Sequence, residues 1–202
     1  MLLWIGLGNP GPSHAGHRHN VGFMAVEAIA RAHGFAPWRR RRDFHGRTAE
    51  GSLDGVRVLM LEPETYMNDS GRAAAAAARF YRLEPDRVTA FHDEIDLAPG
   101  KVRVKQGGGS AGHNGLRSLD AHLGNGYWRV RLGIGDPGHP DLVTRHVLGD
   151  FARADRAWLA AMLDAVAAAA PLLASGEAER FMTKVAHLAP PPKPAEDTDD
   201  GV

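Results

Sequence analysis

The sequence of 202 residues contains no cysteine. This absence excludes disulfide bonds, a catalytic thiolate and zinc sites that need a cysteine ligand. The N-terminus also lacks the basic segment and apolar core of a secretory signal, and we expect no run long enough to span a membrane. The sequence therefore predicts a soluble, cytoplasmic protein that makes no contact with a membrane.

The sequence also lacks an excess of either charge, with 24 basic and 24 acidic residues. Its last segment, residues 190–202, is acidic, and the rest of the chain has 23 basic against 20 acidic residues. A basic run, Arg39–Arg42, is explained equally well by a solvated surface and by a phosphate contact. The charges thus permit nucleic-acid binding without requiring it.

The apolar patterns alternate between strands and helices along a chain long enough for one domain with a substantial core. Strand patterns cover residues 2–5, 44–53, 56–61, 88–92, 101–105 and 127–134, and helical patterns cover 21–33, 72–81, 116–123, 153–173 and 176–185. Asp54-Gly55 between two strands predicts a hairpin. We therefore predict an α/β fold, a single domain with a mixed twisted β-sheet covered by helices on both faces. Residues 1–188 form this domain, and 189–202 are predicted to be a disordered, proline-rich acidic tail.

The stretch from Gly6 to Phe23 contains the first candidate for chemistry. A short apolar strand precedes this glycine-rich loop and a helix follows it, so His19 is expected at the start of a helix above the sheet. Asn20 is a good N-cap residue for that helix. Asp93 follows the strand at 88–92, at the end where open α/β sheets carry functional groups. The sequence thus predicts a pairing of His19 with Asp93.

Nucleotide binding and a serine nucleophile find little support. Gly6, Gly8 and Gly11 have the G-x-G-x-x-G spacing of the dinucleotide fingerprint, but Pro10 lies between the last two and removes an N–H that a pyrophosphate needs. The second glycine-rich loop, residues 106–115, lacks the Gly-Lys-Ser/Thr ending of a P-loop. Ser110 matches the letters of a G-x-S-x-G motif at Gly108–Gly112, but it lies inside the glycine-rich loop and not in the sharp strand-to-helix turn that a nucleophile elbow requires.

A metal site is the alternative that has more support in the sequence. His14, His17 and His19 form an H-x-x-H-x-H cluster, and His92, Asp93 and Asp96 supply further imidazole and carboxylate ligands of the kind that zinc or iron binds. The cluster, however, lies in a loop without the helical spacing that places two histidines on one face. This alternative predicts an enzyme that loses activity on chelation.

The remaining interpretation is acyl transfer to water. His19 would remove a proton from the attacking water, and Asp93 would hold the imidazole in the useful tautomer. The amides of Asn9, Asn68 and Asn114, from three loops, could bind the developing oxyanion or the substrate. An ester is the more credible substrate because an alkoxide departs more easily than an amine.

Several long motifs resemble the bacterial peptidyl-tRNA hydrolases. They are Gly6-Leu7-Gly8-Asn9-Pro10-Gly11, Arg18-His19-Asn20-x-Gly22, Met67-Asn68-x-Ser70-Gly71, His92-Asp93-Glu94-Ile95-Asp96, the run from Lys105 to Leu116, and Arg131-Leu132-Gly133-Ile134-Gly135. The resemblance extends from Leu2 to about Val185 in order and spacing. It implies an enzyme that hydrolyses the ester between a peptide and the 3′-terminal ribose of tRNA after premature release from the ribosome.

The resemblance also implies roles for single residues. His19 matches the catalytic base and Asp93 its supporting carboxylate. Asn9 matches a residue that distinguishes N-blocked peptidyl-tRNA from free aminoacyl-tRNA. Asn68 and Asn114 match residues that contact the substrate and position the water or oxyanion.

For the tRNA, the resemblance implies contacts at the 3′ CCA end and at acceptor-stem phosphates. Tyr66 matches an aromatic residue near the 3′ end, and Lys105 and Arg131 match a basic pair that clamps a phosphate. His14 stands where the family usually has a tyrosine that contacts the tRNA end, and His17 replaces a threonine. We expect His14 to make the same contact with a smaller, protonatable ring.

The resemblance implies that no metal is needed. We also predict no cofactor and no obligate protein partner, and we expect a monomer. Two other functions stay open. One is a catalytically silent RNA-binding relative, which would have no chemical need to keep all of His19, Asp93 and the three asparagines. The other is the metal-dependent hydrolase described above.

Overall fold

The computed structural model describes residues 1–193. Its strands are β1 (Leu2–Gly6), β2 (Arg39–Arg41), β3 (Gly46–Leu53), β4 (Val56–Pro63), β5 (Val88–Glu94), β6 (Val102–Gln106) and β7 (Trp128–Gly133). Its helices are α1 (Val21–Ala32), α2 (Ser70–Phe80), α3 (Asn114–Leu123), α4 (Val143–Val147), α5 (Arg156–Ala174) and α6 (Ala178–Leu188). The described part of the chain thus has the alternation of strands and helices that the sequence predicts.

All seven strands form one sheet in the order β2-β3-β4-β1-β5-β7-β6. The four central strands are parallel, whereas β2, β3 and β6 are antiparallel to their neighbours. The mixed sheet is therefore confirmed. Strand β2 was missed, because its three arginines give no apolar pattern; at the edge of the sheet such side chains can face water.

The two faces of the sheet carry different helices. In β1, Trp4 packs into a core with residues of α1, α5 and α6, whereas Leu3 and Ile5 pack into a second core with residues of α2 and α3. This division follows from the strand geometry, since successive side chains point to opposite faces. Helices cover both faces, as predicted.

Two turns follow their sequence signals. Asp54 and Gly55 both have positive φ, 47° and 84°, as a two-residue type I′ hairpin between β3 and β4 requires. Gly34, the residue after the helical pattern at 21–33, has φ 63°, and the N–H of Phe35 donates to the carbonyl of Ala30 over 2.9 Å. This bond closes α1 in the manner of a Schellman motif.

Helix α5 and the turn before it, Arg153–Ala174, are long and apolar enough to cross a membrane by length and composition, with a mean hydropathy of 1.8. The expectation that no run reaches this length was therefore wrong. Such a helix is weak support for a membrane span, because the core helices of soluble proteins pass the same test. In this protein α5 packs against α1 and α6.

The predicted tail begins at residue 189, immediately after α6. Ala189 is buried, and Pro191 and Pro192 lie beside Gly100. Residues 194–202, which hold the acidic part of the segment, lie outside the described residues. Disorder of that part stays a prediction.

Candidate active site

A cavity of about 510 Å³ opens beyond the carboxyl ends of the central strands. Its lining includes the five residues that the sequence predicts for catalysis and substrate binding: Asn9, His19, Asn68, Asp93 and Asn114. They come from the loops after β1 and β4, from the end of β5, and from the start of α3. The fold therefore brings together residues that are more than 100 positions apart in the chain.

His19 reaches Asp93 because α1 begins very close to the sheet. A Cβ atom placed on Gly22, in the first turn of α1, would stand 2.2 Å from the carbonyl oxygen of Phe91 in β5. Only glycine permits this approach. The helix therefore starts directly above the end of β5, with His19 in the short turn before it.

The predicted pair is formed. Nδ1 of His19 lies 2.9 Å from both carboxylate oxygens of Asp93. An ionised carboxylate can accept hydrogen bonds but cannot donate them, so Nδ1 of His19 must carry a hydrogen. In the neutral imidazole, Nε2 then carries the lone pair. Nε2 has no hydrogen-bond partner among residues 1–193, and His19 is 8% exposed. The imidazole therefore offers a basic nitrogen to the cavity.

His113 is a second imidazole on the same carboxylate. Its Nε2 lies 2.8 Å from Oδ1 of Asp93, while its Nδ1 accepts hydrogen bonds from the backbone N–H groups of Gly115 and Leu116. Because Nδ1 is an acceptor, Nε2 must carry the hydrogen and donate it to Asp93. His113 is thus the N-cap of α3 and also links the start of this helix to Asp93.

The electrostatics of the buried end of β5 favour an ionised Asp93 and a neutral His92. Burial works against ionisation of Asp93, yet the neighbouring His113 and His19 hold its pKa well below the usual value. Burial, reinforced by His113, lowers the pKa of His92 to about 3. His92 is therefore neutral at pH 7, and its Nδ1–H donates to the carbonyl of Asp93 over 2.8 Å.

Asn9 is held in a defined orientation. Its Oδ1 accepts from the backbone N–H of Met67 over 2.8 Å, and its own backbone exchanges two hydrogen bonds with the side chain of Asn20. Since a backbone N–H can only donate, the atom facing Met67 must be the amide oxygen. The NH₂ group of Asn9 is left as a donor.

Asn20 occupies the predicted N-cap position of α1, but it does not cap the helix with its side chain. Its side chain makes no hydrogen bond to the first turn of α1. Instead it is buried and binds the backbone N–H and carbonyl of Asn9 over 3.0 and 2.9 Å. Tertiary contact with the loop after β1 has taken the place of the local cap.

Asn68 and Asn114 differ from Asn9 in being exposed. Their side chains make no hydrogen bond within the described part of the chain. Asn68 precedes α2 by two residues, and Asn114 is the first residue of α3. Both amides can therefore turn toward a bound substrate.

The residues predicted to contact tRNA lie around the same cavity, with one exception. Tyr66 is 67% exposed beside Asn68. Lys105 and Arg131, on the antiparallel pair β6 and β7, share one face and both line the cavity. Nε of Arg131 donates to Glu94 over 3.0 Å, which leaves the outer guanidinium nitrogens for another anion.

The exception is His14, which is not among the residues that line the cavity. Its Nδ1 donates to the carbonyl of Pro10 over 2.7 Å, and its ring packs edge-on to that of His17 at 5.2 Å between centroids. His17 lies 4.0 Å from Asp150. The cluster of His14, His17 and His19 is thus divided, because His19 is bonded to Asp93.

A different set of three side chains, which shares His19 with that cluster, comes close enough to hold a metal ion: His19, Asp93 and His113. Their hydrogen bonding opposes that use. A metal bound at Nε2 of His113 would require the hydrogen to move to Nδ1, which already receives the N–H groups of Gly115 and Leu116. As arranged, these side chains suit a hydrogen-bond network better than a ligand set.

Sequence reasoning missed several residues that support the site. The sequence assigned His113 no role beyond its place in the run from Lys105 to Leu116, gave Asn20 the role of a helix cap, and assigned no role to Arg129. Arg129 is fully buried, donates to the carbonyls of Gly108 and Gly109 over 2.8 and 2.6 Å, and pairs with Asp120. A lone arginine in a strand gives no signal that it anchors a glycine-rich loop.

Comparison with known proteins points to one family. Residues 3–193 match the family described as peptidyl-tRNA hydrolase. Peptidyl-tRNA hydrolases of Granulibacter bethesdensis and Acidiphilium cryptum are 62% and 61% identical over 189 residues, which is 93% of this chain and 96% and 97% of theirs. The crystal structure of peptidyl-tRNA hydrolase from Acinetobacter baumannii is similar with a TM-score of 0.88 at 37% identity, covering 94% of this chain and 96% of that one.

Proposed function

The chain belongs to the peptidyl-tRNA hydrolase family, and from this premise we propose how its residues hydrolyse the ester between a peptide and the 3′-terminal ribose of tRNA. The activity itself is that of the family: the chain is a hydrolase acting on peptidyl-tRNA. The observation that carries the proposed mechanism is the contact of His19 with Asp93 at the floor of the cavity.

In the first step, Nε2 of His19 takes a proton from water as the water oxygen attacks the ester carbonyl. General-base help of this kind contributes roughly 10²–10⁴-fold to a rate. The imidazolium that forms is stabilised by Asp93, which accepts its Nδ1–H and is kept ionised by its two histidine partners. Asp93 itself gains no proton.

In the second step, the tetrahedral intermediate collapses and the bond between the carbonyl carbon and the ribose 3′-oxygen breaks. The proton on Nε2 of His19 passes to the departing 3′-oxygen and gives the free tRNA hydroxyl. The other proton of the attacking water stays on the new carboxylic acid of the peptide, which releases it to solvent and becomes a carboxylate. The imidazole returns to its neutral form with Nδ1–H still on Asp93.

Three amides supply donors for the substrate. We assign binding of the oxyanion or the attacking water to Asn68 and Asn114, and their exposure at the cavity supports this role. The NH₂ group of Asn9, fixed by Met67 and Asn20, is suited to a peptide carbonyl near the ester. A substrate with a blocked N-terminus has this carbonyl and a free aminoacyl group does not, which supports the expected discrimination.

The RNA is held by charge rather than by base readout. Lys105 and Arg131 face one side of the β6–β7 pair at the cavity, and we propose that they bind an acceptor-stem phosphate. Phosphate contacts carry no sequence information, which suits an enzyme that accepts many tRNAs. Tyr66, exposed at the rim, offers a ring to the 3′-terminal base. We further propose that the chain acts on its own, as a monomer, in the bacterial cytoplasm.

The experiment measures release of an N-acetylated amino acid from tRNA by the wild type and by His19→Ala, each with and without EDTA. We expect activity that survives EDTA and falls about 10²–10⁴-fold in the variant. His187→Ala is the matched control, because His187 is an exposed residue of α6. Loss of activity on chelation would contradict the mechanism in favour of a metal, and tRNA binding without turnover by the wild type would indicate an RNA-binding protein.

A further inference from the structure

A second groove, of about 730 Å³, adjoins the catalytic cavity. We call it the arginine groove; it is lined by Arg40, Arg42, His45, Glu64, Thr65, Tyr66, Asn68, Asp69 and Arg72. Tyr66 and Asn68 belong to both spaces, so the groove continues outward from the point where the substrate's ester would lie. Its basic residues come from β2, from the turn after β2, and from α2.

The groove has an excess of positive charge. Arg40 pairs with Glu64 over 2.7 Å and Arg72 with Asp69 over 3.2 Å. Arg42 is exposed and has no ion-pair partner within residues 1–193. Three guanidinium groups therefore face two carboxylates, and exposed pairs of this kind are weak enough to exchange partners with an incoming anion.

Exposed aromatic rings accompany these charges. Tyr66, which lines the groove, is 67% exposed. Phe80, at the far end of α2, lies outside the lining; it is 61% exposed, and its ring packs edge-on against those of Phe44 and Tyr81. Arg72, Arg79 and Phe80 are exposed along one side of α2, because seven residues are close to two helical turns. Cationic side chains interleaved with exposed rings are typical of surfaces that bind single-stranded or irregular nucleic acid.

The groove lies on the opposite side of the site from the basic pair discussed above. Arg40 belongs to β2, one edge of the sheet, whereas Lys105 belongs to β6, the other edge. The catalytic residues lie between them, above β1 and β5. A long substrate centred on His19 can therefore meet positive charge on both sides.

We propose that the arginine groove binds phosphates of the substrate's RNA, as a second binding surface separate from Lys105 and Arg131. This inference rests on the proposed function, since that function supplies the RNA. Guanidinium groups suit phosphate because two N–H donors match two phosphate oxygens. RNA is favoured over an acidic peptide because the exposed ring of Tyr66, inside the groove, offers a stacking surface to a base.

The test measures the affinity of the protein for deacylated tRNA across a range of salt concentrations, so that neither a peptide nor turnover is involved. For Arg42→Gln combined with Arg72→Gln we expect a dissociation constant about tenfold higher at low salt. We also expect the slope of log K against log salt to become less steep, by about 0.7 to 0.9 for each phosphate that the variant no longer binds.

The matched control combines Arg31→Gln with Arg57→Gln. Both arginines are exposed and lie at the opposite end of the molecule, in the last turn of α1 and at the start of β4. This variant loses the same charge, so we expect the affinity and slope of the wild type. Equal losses of affinity in both double variants would reveal only a general effect of net charge and would overturn the proposal.

Unchanged tRNA affinity in the variant with both Arg42→Gln and Arg72→Gln would also overturn the proposal. A defect confined to the hydrolysis of peptidyl-tRNAs with an acidic peptide would assign the groove to the peptide instead. Failure of the proposed function is a separate result. It would appear as absent hydrolysis by the wild type, whereas the binding measurement requires no hydrolysis.

Discussion

His113 donates its Nε2–H to Oδ1 of Asp93 over 2.8 Å. The same carboxylate receives Nδ1–H of His19, so one buried aspartate accepts from two imidazoles. The tautomer of His113 is set by the backbone at the start of α3, and that of His19 is set by Asp93. The tautomer of His19 thus depends on a chain of contacts that runs from the start of α3 through His113 and Asp93 to the imidazole that we propose as the base.

For Asp93→Asn we expect kcat to fall by about 10²–10⁴-fold. The new amide has one oxygen to accept hydrogen bonds, whereas its NH₂ group would face the N–H of one of the two imidazoles and favour the wrong tautomer of His19. Kinetics with N-acetyl-aminoacyl-tRNA check this, with tRNA affinity as the control. A loss of activity below about threefold would show that Asp93 does not orient the base.

For His113→Ala we expect two separable losses: about tenfold in kcat from the missing donor to Asp93, and about 1 kcal/mol of stability from the missing N-cap. His113→Asn distinguishes them. Asparagine is a good N-cap, so its free energy of unfolding should approach that of the wild type, but its side chain is too short to reach Asp93. Full activity in the asparagine variant would mean that His113 matters only as the N-cap of α3 and that its hydrogen bond to Asp93 does not contribute to kcat.

For Asn20→Ala we expect Asn9 to lose its fixed orientation, because both hydrogen bonds to its backbone disappear. The cost to stability is about 1–3 kcal/mol, since two buried backbone groups lose their partners. The sharper readout is the ratio of kcat/KM for N-acetyl-aminoacyl-tRNA to that for free aminoacyl-tRNA. We expect this ratio to fall. An unchanged ratio would show that the orientation of Asn9 does not contribute to the choice between the two substrates.

Glu62 gives a pH-dependent prediction. Burial, together with the nearby Glu27, raises the pKa of Glu62 to about 8 despite its contact with Arg47. Because the folded state holds this proton more tightly than the unfolded chain, the stabilisation is full below the unfolded pKa, near 4.5, and is lost as the pH rises toward 8.

The measurement is the free energy of unfolding of wild type and Glu62→Gln at several pH values. Glutamine mimics the protonated acid, so the stability of the variant relative to the wild type should increase from about pH 5 to about pH 8. We expect an increase of order 1 kcal/mol per pH unit. A constant difference would mean that Glu62 is ionised throughout, with Arg47 as its counter-ion.

The sequence alone determined the fold class and most of the site, for physical reasons that are local. Strand and helix periods follow from which side chains must be buried, and Asp54-Gly55 and Gly34 stand where only a positive φ closes the turn. His19, Asp93 and the three asparagines lie in loops at strand ends, and parallel strands bring such loops to one edge. These residues could therefore be predicted to meet.

Tertiary structure decided what depends on contacts between distant segments. Asn20 had a plausible local role as a cap, but the backbone of Asn9 offered it two buried hydrogen bonds instead. His113 became a partner of Asp93 only because α3 begins beside β5, and His14 is kept from the cavity by its bond to Pro10. The run Arg39–Arg42 borders the arginine groove because β2 forms an edge of the sheet, where Arg40 and Arg42 line the same space as Arg72 of α2. Periodicity and spacing carry no information about such pairings, because they are set by which surfaces the folded chain buries against one another.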